Sequence, residues 1–125
     1  MTTKKKIKVS ADLDQKNWKK IYDGAYKLLA KGWCQKSFAK TSRGSFVSID
    51  SKRATHFCLD GAMERSARNL FGKRDKSVYY AASRYAEGCL PKNSNNFLCL
   101  WTFNDAARRT QQQVLDFLDH VRNSI

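Results

Sequence analysis

The sequence predicts a mainly α-helical (α+β) domain, a compact bundle of four to five helices with one β-hairpin at about residues 33–49. Apolar residues recur at helical spacing in most segments of the chain, and a strand-like pattern appears only within that one range. The length of 125 residues and the 42% hydrophobic content suffice for a single core. We therefore expect a basic flexible arm over residues 1–9 and one helical domain over residues 10–125.

The first helix is predicted to run from Ser10 to Gly32. Its apolar residues recur every three to five positions, and glycine favours the left-handed conformation that ends helices. After it, Phe38 and the apolar residues of segment 46–49 flank a polar segment that ends in Gly44. This arrangement is typical of two strands joined by a turn, and it predicts the hairpin.

The next helix is predicted to run from Asp50 or Ser51 to Phe71. Its apolar residues spread around more than one face, so we expect it at the centre of the bundle. A shorter helix is predicted over residues 76–87. The residues that follow, 90–96, have the composition of a loop.

Two elements are predicted near the C-terminus. Segment 97–103 is almost entirely apolar and fits either a buried strand or a short buried helix, and Ser94 as an N-cap favours the helix. Thr110 and Gln113 have the spacing of a capping box, in which each side chain accepts a hydrogen bond from the other residue's N–H. A last amphipathic helix is therefore expected from this point.

The chain carries a formal charge of +13, from 24 Lys and Arg against 11 Asp and Glu. Residues 1–40 hold eleven Lys and three Asp, whereas residues 101–125 balance three Arg with three Asp. This distribution predicts an anionic partner that meets the first part of the chain and the middle helices. The residues expected to contact the phosphate backbone of nucleic acid, or an acidic partner, are Lys4, Lys5, Lys6, Lys8, Lys19, Lys20, Arg65, Arg68, Lys73, Arg74 and Lys76.

The four cysteines have neither the Cys-x-x-Cys spacing of zinc sites nor the context of a disulfide scaffold. We expect free thiols, no metal and no cofactor. His56 and Cys58 are two residues apart, so on a helix they would point in different directions and could not easily share an ion. The chain has no apolar run of membrane-spanning length and no secretory signal, which predicts a cytoplasmic protein without membrane contact.

Three patches resemble an uncharacterised domain family of bacteria and their phages, whose pattern is W-T-Q, W-C-x-x-G-A and N-D-x-x-x-R-T-x-x-x-V-L-x-x-L-D. The matching residues are Trp33, Gln35, Cys58, Gly61, Ala62, Asn104, Asp105, Arg109, Thr110, Val114, Leu115, Leu118 and Asp119. The departures are Cys34 in place of Thr, and Phe57 and Phe103 in place of Trp. The resemblance implies a helical fold and a bacterial cell or a phage-infected one, and it implies no activity.

The last patch contains a polar cluster made of Asn104, Asp105, Arg109 and Thr110. A carboxylate and a guanidinium one helical turn apart suit a charge-assisted hydrogen bond, which an active site could use. The structural interpretation is that Asn104 and Asp105 close one helix, Arg109 orders the turn and Thr110 caps the next helix. We favour this interpretation, because the neighbouring sequence supplies no nucleophile.

These observations favour a small, basic, non-enzymatic protein that binds nucleic acid through its phosphate backbone, without reading the bases. An alternative is a phage or mobile-element accessory protein that binds and inhibits a host defence protein or nucleoprotein complex, as anti-CRISPR proteins do. A third hypothesis is an enzyme acting on a nucleotide or small metabolite. It is disfavoured because the scattered glycines form no phosphate loop and no catalytic set is evident.

Overall fold

The computed structural model describes residues 2–91 and 99–125, with side chains described from Asp14 onward within those ranges. This part of the chain forms one two-stranded sheet and five helices. The elements are α1 (Thr2–Lys31), β1 (Ala39–Lys40), β2 (His56–Phe57), α2 (Leu59–Phe71), α3 (Ser77–Gly88), α4 (Leu100–Asn104) and α5 (Gln111–Asn123). The predicted fold class, a helical α+β bundle with one antiparallel pair of strands, is confirmed.

α1 packs against the rest of the bundle through an apolar stripe with helical spacing. Its fully buried residues are Ile21, Tyr22, Ala25 and Leu29. The helix begins at Thr2, not at Ser10 as predicted, so the segment expected to be a flexible arm forms its first turns. A helix anchored by packing extends readily through lysine, a good helix former, because each added residue gains a hydrogen bond without a new nucleation step.

The sheet pairs β1 with β2 in antiparallel register, with Ala39 opposite Phe57. The second strand therefore lies beyond the predicted range of 33–49. Phe46, expected in that strand, forms only an isolated bridge to β1 and is 72% exposed, whereas Phe57 is 2% exposed. Burial of the Phe57 ring favours the pairing of its own segment with β1.

α2 begins at Leu59, so the predicted start at residues 50–51 is wrong. The residues before it pair in the sheet, and the helix can start only after the chain leaves β2. Cys58 then acts as the N-cap, and its Sγ accepts a hydrogen bond from the Gly61 N–H at 3.2 Å. The predicted end at Phe71 is confirmed.

The remaining helices agree with the sequence predictions. α3 occupies the range expected at 76–87, and α4 shows that the apolar segment is helical where it is described. Ser94, its expected N-cap, lies outside the described residues. The capping box before α5 is confirmed: Gln113 N–H donates to Thr110 Oγ1 at 3.2 Å, and Thr110 N–H donates to Gln113 Oε1 at 3.1 Å.

α1 packs on α2, α3 and α5, and side-chain hydrogen bonds join it to two of these helices. Tyr22 donates from its hydroxyl to the Ala82 carbonyl oxygen at 2.7 Å, which ties α1 to α3. Ser66 of α2 donates from its hydroxyl to the Ile21 carbonyl oxygen at 2.9 Å. A Cβ atom at Gly24 would overlap Ser66 Oγ, so a larger residue there would displace the Ser66 hydroxyl from its hydrogen bond to Ile21.

Candidate functional site

The segment after α1 and the start of α2 meet at Asn104, the last residue of α4, which is fully buried. Asn104 Oδ1 accepts hydrogen bonds from Trp33 Nε1 at 2.7 Å and from the Leu59 N–H at 3.0 Å. Asn104 Nδ2 donates to the Cys34 carbonyl oxygen at 3.1 Å and to Asp105 Oδ1 at 2.9 Å. Both acceptor and both donor positions of the amide are filled, so this Asn104 network fixes three segments relative to one another.

Asp105 extends the network towards solvent. Its Oδ1 also accepts from the Lys36 N–H at 2.9 Å, while its Oδ2 accepts no hydrogen bond from any residue that the structure describes. Lys36 has a φ of 64°, in the left-handed region where a residue other than glycine costs roughly 1 to 2 kcal/mol. Gln35 Nε2 donates to the carbonyl oxygens of Asn104 at 3.0 Å and Ala106 at 3.1 Å, and so helps to hold this turn.

A cleft of about 380 Å³ lies beside the network, and we call it the aromatic cleft. Its lining residues are Lys36, Ser37, Phe38, Cys58, Trp101 and Asp105. Phe38 is 55% exposed and Trp101 is 57% exposed. The cleft therefore presents two aromatic rings, one carboxylate oxygen without a described partner and one lysine side chain.

Two cysteine thiols lie in or near this region. Burial raises the pKa of Cys58 to about 12, and burial also raises the pKa of Cys34. Both thiols are protonated at neutral pH and are poor nucleophiles in that form. Across the described ranges, no group of three or more His, Cys, Asp or Glu residues is placed to hold a metal ion.

Arg109 and Thr110 shape the turn that leads from α4 to α5. Arg109 Nε donates to the Phe103 carbonyl oxygen at 2.8 Å, and its guanidinium carbon lies 3.9 Å from the centroid of the Phe103 ring. Thr110 caps α5 as predicted. These two members of the polar cluster have structural contacts, whereas Asp105 faces the cleft.

The structure places Arg65 and Arg68 against the loop that precedes β2. Arg65 donates to the Ile49 carbonyl oxygen, and Arg68 forms ion pairs with Asp50 and Glu64. We expected these guanidinium groups to contact phosphates, but their described contacts lie within the chain. The loop brings Asp50 and a carbonyl oxygen to α2 from a distant part of the sequence, which spacing along α2 does not reveal.

The other expected basic residues fall into three groups. Lys73 is 71% exposed, and its Nζ lies 3.6 Å from Asp50 Oδ2. Four more of the expected residues are also exposed, namely Lys19, Lys20, Arg74 and Lys76. The side chains that lie outside the described residues are those of Lys4, Lys5, Lys6 and Lys8, in the first turns of α1.

A second surface depression, of about 350 Å³, lies between α1 and α2, and we call it the α1/α2 groove. Its lining residues are Lys20, Asp23, Gly24, Lys27, Leu28, Lys31, Ser66, Asn69 and Leu70. Lys20, Lys27 and Lys31 are exposed, and none of them forms an ion pair with a described residue. Spacings of seven and four residues place all three on one helix face, and Lys20 is among the residues expected to contact phosphates.

A profile described as a family of unknown function (DUF6197) matches residues 14–124. The chain belongs to this family. No curated protein and no solved structure matches the chain. The predicted membership of an uncharacterised domain family is thus confirmed, and DUF6197 covers the whole range that carried the resemblance. Within the described ranges, none of the helices combines the length and the apolar character needed to cross a membrane.

The segments around Trp33, Gly61 and Asn104 come together at the Asn104 network. Trp33 and Gln35 contact Asn104 directly, and Asn104 binds the first backbone N–H of α2. A Cβ atom at Gly61 would overlap the Phe38 carbonyl oxygen, so that glycine lets α2 approach the cleft wall. The sequence did not indicate three residues of the cleft as functional, namely Lys36, Phe38 and Trp101. Aromatic residues usually lie in the core, and a single lysine does not identify a binding site.

Proposed function

We propose that the protein is a non-enzymatic binding protein that engages nucleic acid through the phosphate backbone, with the α1/α2 groove as the contact surface. One observation carries this proposal: three exposed lysines without ion-pair partners among the described residues line a single groove. The chain's net charge of +13 adds a long-range attraction for polyanions. Lysine contacts to phosphate supply the part of nucleic-acid affinity that is independent of sequence.

The spacing of the lysines suits a phosphate backbone. An α-helix rises about 1.5 Å per residue, so the row from Lys20 to Lys31 spans roughly 16 Å. A duplex rises about 3.4 Å per base pair along its axis, so a row parallel to that axis would span about five base pairs. On the α2 wall, Asn69 Oδ1 accepts from Arg65 Nε at 3.2 Å, and its Nδ2 is left to donate to a phosphate oxygen.

The acidic residue of the groove does not neutralise the lysines. Asp23 Oδ1 lies 3.2 Å from Arg122 Nη1, and Asp23 forms no ion pair with any of the three groove lysines. Arg122 is held in place by Asp119 and by the ring of Tyr26, whose centroid lies 4.2 Å from the guanidinium carbon. The lysine charges are therefore available to a ligand.

The test measures binding of labelled random-sequence duplexes and single strands by fluorescence anisotropy, starting at about 50 mM salt, where phosphate contacts are strong. We expect the wild type to bind both and to lose affinity steeply as salt rises. The triple variant K20A/K27A/K31A should bind more weakly to all sequences alike. Its slope of log affinity against log salt should be shallower by roughly 0.9 for each duplex phosphate that the variant no longer neutralises.

A matched control is R43A/K52A/R53A, which removes three exposed positive charges from the segment between the strands. It lowers the net charge equally but leaves the groove intact, so it should cause a smaller loss of affinity. Equal losses in the two triple variants would contradict the groove as the contact surface. A wild type that does not bind at about 50 mM salt contradicts the proposed function. The alternative function, inhibition of a host protein by binding to an acidic surface of that protein, would then replace nucleic-acid binding as the proposal.

A further inference from the structure

We infer that the aromatic cleft is a binding site for an unpaired nucleobase, with guanine as the preferred base. This site deepens the proposed function and rests on it for the nature of the ligand, since a chain of net charge +13 gathers nucleic acid at its surface. The α1/α2 groove would hold phosphates, whereas the cleft would hold one base removed from pairing. The two surfaces can be tested separately.

The first argument is the exposure of two aromatic rings at one place. Phe38 and Trp101 are more than half exposed and line the same cleft, whereas Phe57 and Phe103 are 2% and 4% exposed. Exposed aromatic side chains bind unpaired bases by stacking, because every base has a π face. The cleft volume of about 380 Å³ lies within the usual range of roughly 300 to 1,000 Å³ for small-ligand sites.

The second argument is the hydrogen-bonding character of Asp105. An ionised carboxylate only accepts hydrogen bonds, and Oδ2 has no partner among the described residues. Guanine presents two adjacent donors, N1–H and the N2 amino group. The amino groups of adenine and cytosine lie next to a ring nitrogen that repels a carboxylate, and the N3–H of uracil lies between two carbonyl oxygens. Guanine is therefore the base whose edge suits Asp105 best.

The third argument is that Asp105 is held in place before any ligand binds. Its Oδ1 accepts from the Lys36 N–H at 2.9 Å and from Asn104 Nδ2 at 2.9 Å. The left-handed conformation of Lys36 supplies the first of these donors, and it also places a lysine on the cleft. A fixed acceptor binds a donor with little further loss of conformational freedom. Lys36 lines the cleft, so its ammonium group would pair with the phosphate on the sugar of the bound nucleotide.

The test titrates the protein with guanosine, adenosine, cytidine and uridine monophosphates. All four carry the same phosphate, so a difference in affinity reports the base. Calorimetry gives the affinities, and tryptophan fluorescence reports stacking on Trp101, the one exposed tryptophan of the three. We expect guanosine monophosphate to bind roughly tenfold more tightly than uridine monophosphate, the discrimination of one good hydrogen-bonded base contact.

The decisive variant is Asp105→Asn, which keeps an oxygen for Lys36 and Asn104 but replaces Oδ2 with a donor. It should lose the preference for guanine while remaining folded. Phe38→Ala should weaken binding of all four bases. Phe46→Ala is the matched control, because Phe46 is exposed but lines a different surface, and it should change neither affinity nor preference.

The outcomes separate the two proposals. Equal binding of the four monophosphates, displaced by inorganic phosphate, overturns the base site. Salt-dependent binding of long nucleic acid, without discrimination among the monophosphates, overturns the base site and supports the proposed function. Preferential binding of guanosine monophosphate without binding of long nucleic acid supports the cleft as a nucleotide site and contradicts the proposed function. An Asp105→Asn variant that retains the guanine preference would also overturn the role assigned to Asp105.

Discussion

At the scale of single residues, Asn104 joins three segments of the chain through four side-chain hydrogen bonds. A fully buried amide is tolerated only when its donors and acceptors are satisfied, and Asn104 satisfies all of them within the chain. It also joins residues about seventy positions away in the sequence. The sequence placed Asn104 in a polar cluster that closes a helix, but it did not indicate the distant groups that Asn104 binds.

Asn104→Ala should destabilise the fold by about 3 kcal/mol or more, because Trp33 Nε1, the Leu59 N–H and the Cys34 carbonyl oxygen lose their partner. Urea denaturation measures this change in the free energy of unfolding. Asn123→Ala is the control, since Asn123 is exposed at the end of α5 and should change stability by no more than about 0.5 kcal/mol. Similar stabilities for the two variants would show that the Asn104 network is dispensable.

At the scale of secondary-structure elements, the helix starts illustrate two different causes. α5 begins at a capping box that the spacing of Thr110 and Gln113 predicted. α2 begins at Leu59 with Cys58 as its N-cap, and cysteine is not among the favoured N-cap residues. Its start is decided by β2, which occupies the preceding residues through pairing with a distant strand.

Thr110→Ala should lower the free energy of unfolding by about 1 kcal/mol, the usual effect of losing an N-cap side chain. Thermal and urea denaturation both report this loss, and the folded variant should bind nucleic acid as the wild type does. Gln112→Ala lies on the same turn without capping it, and should change stability by less than about 0.5 kcal/mol. A large loss of binding in a fully folded Thr110→Ala variant would instead make the segment from Asn104 to Thr110 a functional site.

At the scale of the whole molecule, the excess of positive charge acts on stability as well as on binding. The chain carries +13, and the ion pairs described involve only three cationic residues, Arg68, Lys73 and Arg122. Mutual repulsion among like charges destabilises a compact state. The same surface charge that attracts a polyanion therefore lowers the stability of the protein without its ligand.

Raising sodium chloride from about 0.01 M to about 0.1 M should raise the melting temperature, because the screening length falls from roughly 30 Å to roughly 10 Å. Calorimetry or circular dichroism at fixed pH measures the shift. The K20A/K27A/K31A variant should show a smaller rise, since it carries less repulsion. A melting temperature that falls with salt would mean that ion pairs such as Arg68 with Asp50 outweigh the repulsion.

Much of the fold was predictable because its signals are local. The end of α2 at Phe71, the range of α3 and the start of α5 depend on residues within about one or two helical turns, and all three agree with prediction. The second strand at His56–Phe57 was not predictable in this way. Both His56–Phe57 and the segment around Phe46 pair with β1, but only the former, which local patterning did not indicate, forms a regular strand.

The sequence suffices to predict the helical periodicity, the excess of lysine in the first part of the chain and the cap of α5, because each depends on composition or on near neighbours. Tertiary packing pairs Arg68 with Asp50 and places Lys20, Lys27 and Lys31 along one groove. It also decided that Asp105 lies in a cleft beside Trp101. Packing brings together residues far apart in the chain, and the burial of apolar surface that drives it is not directional, so spacing alone does not specify which polar groups meet.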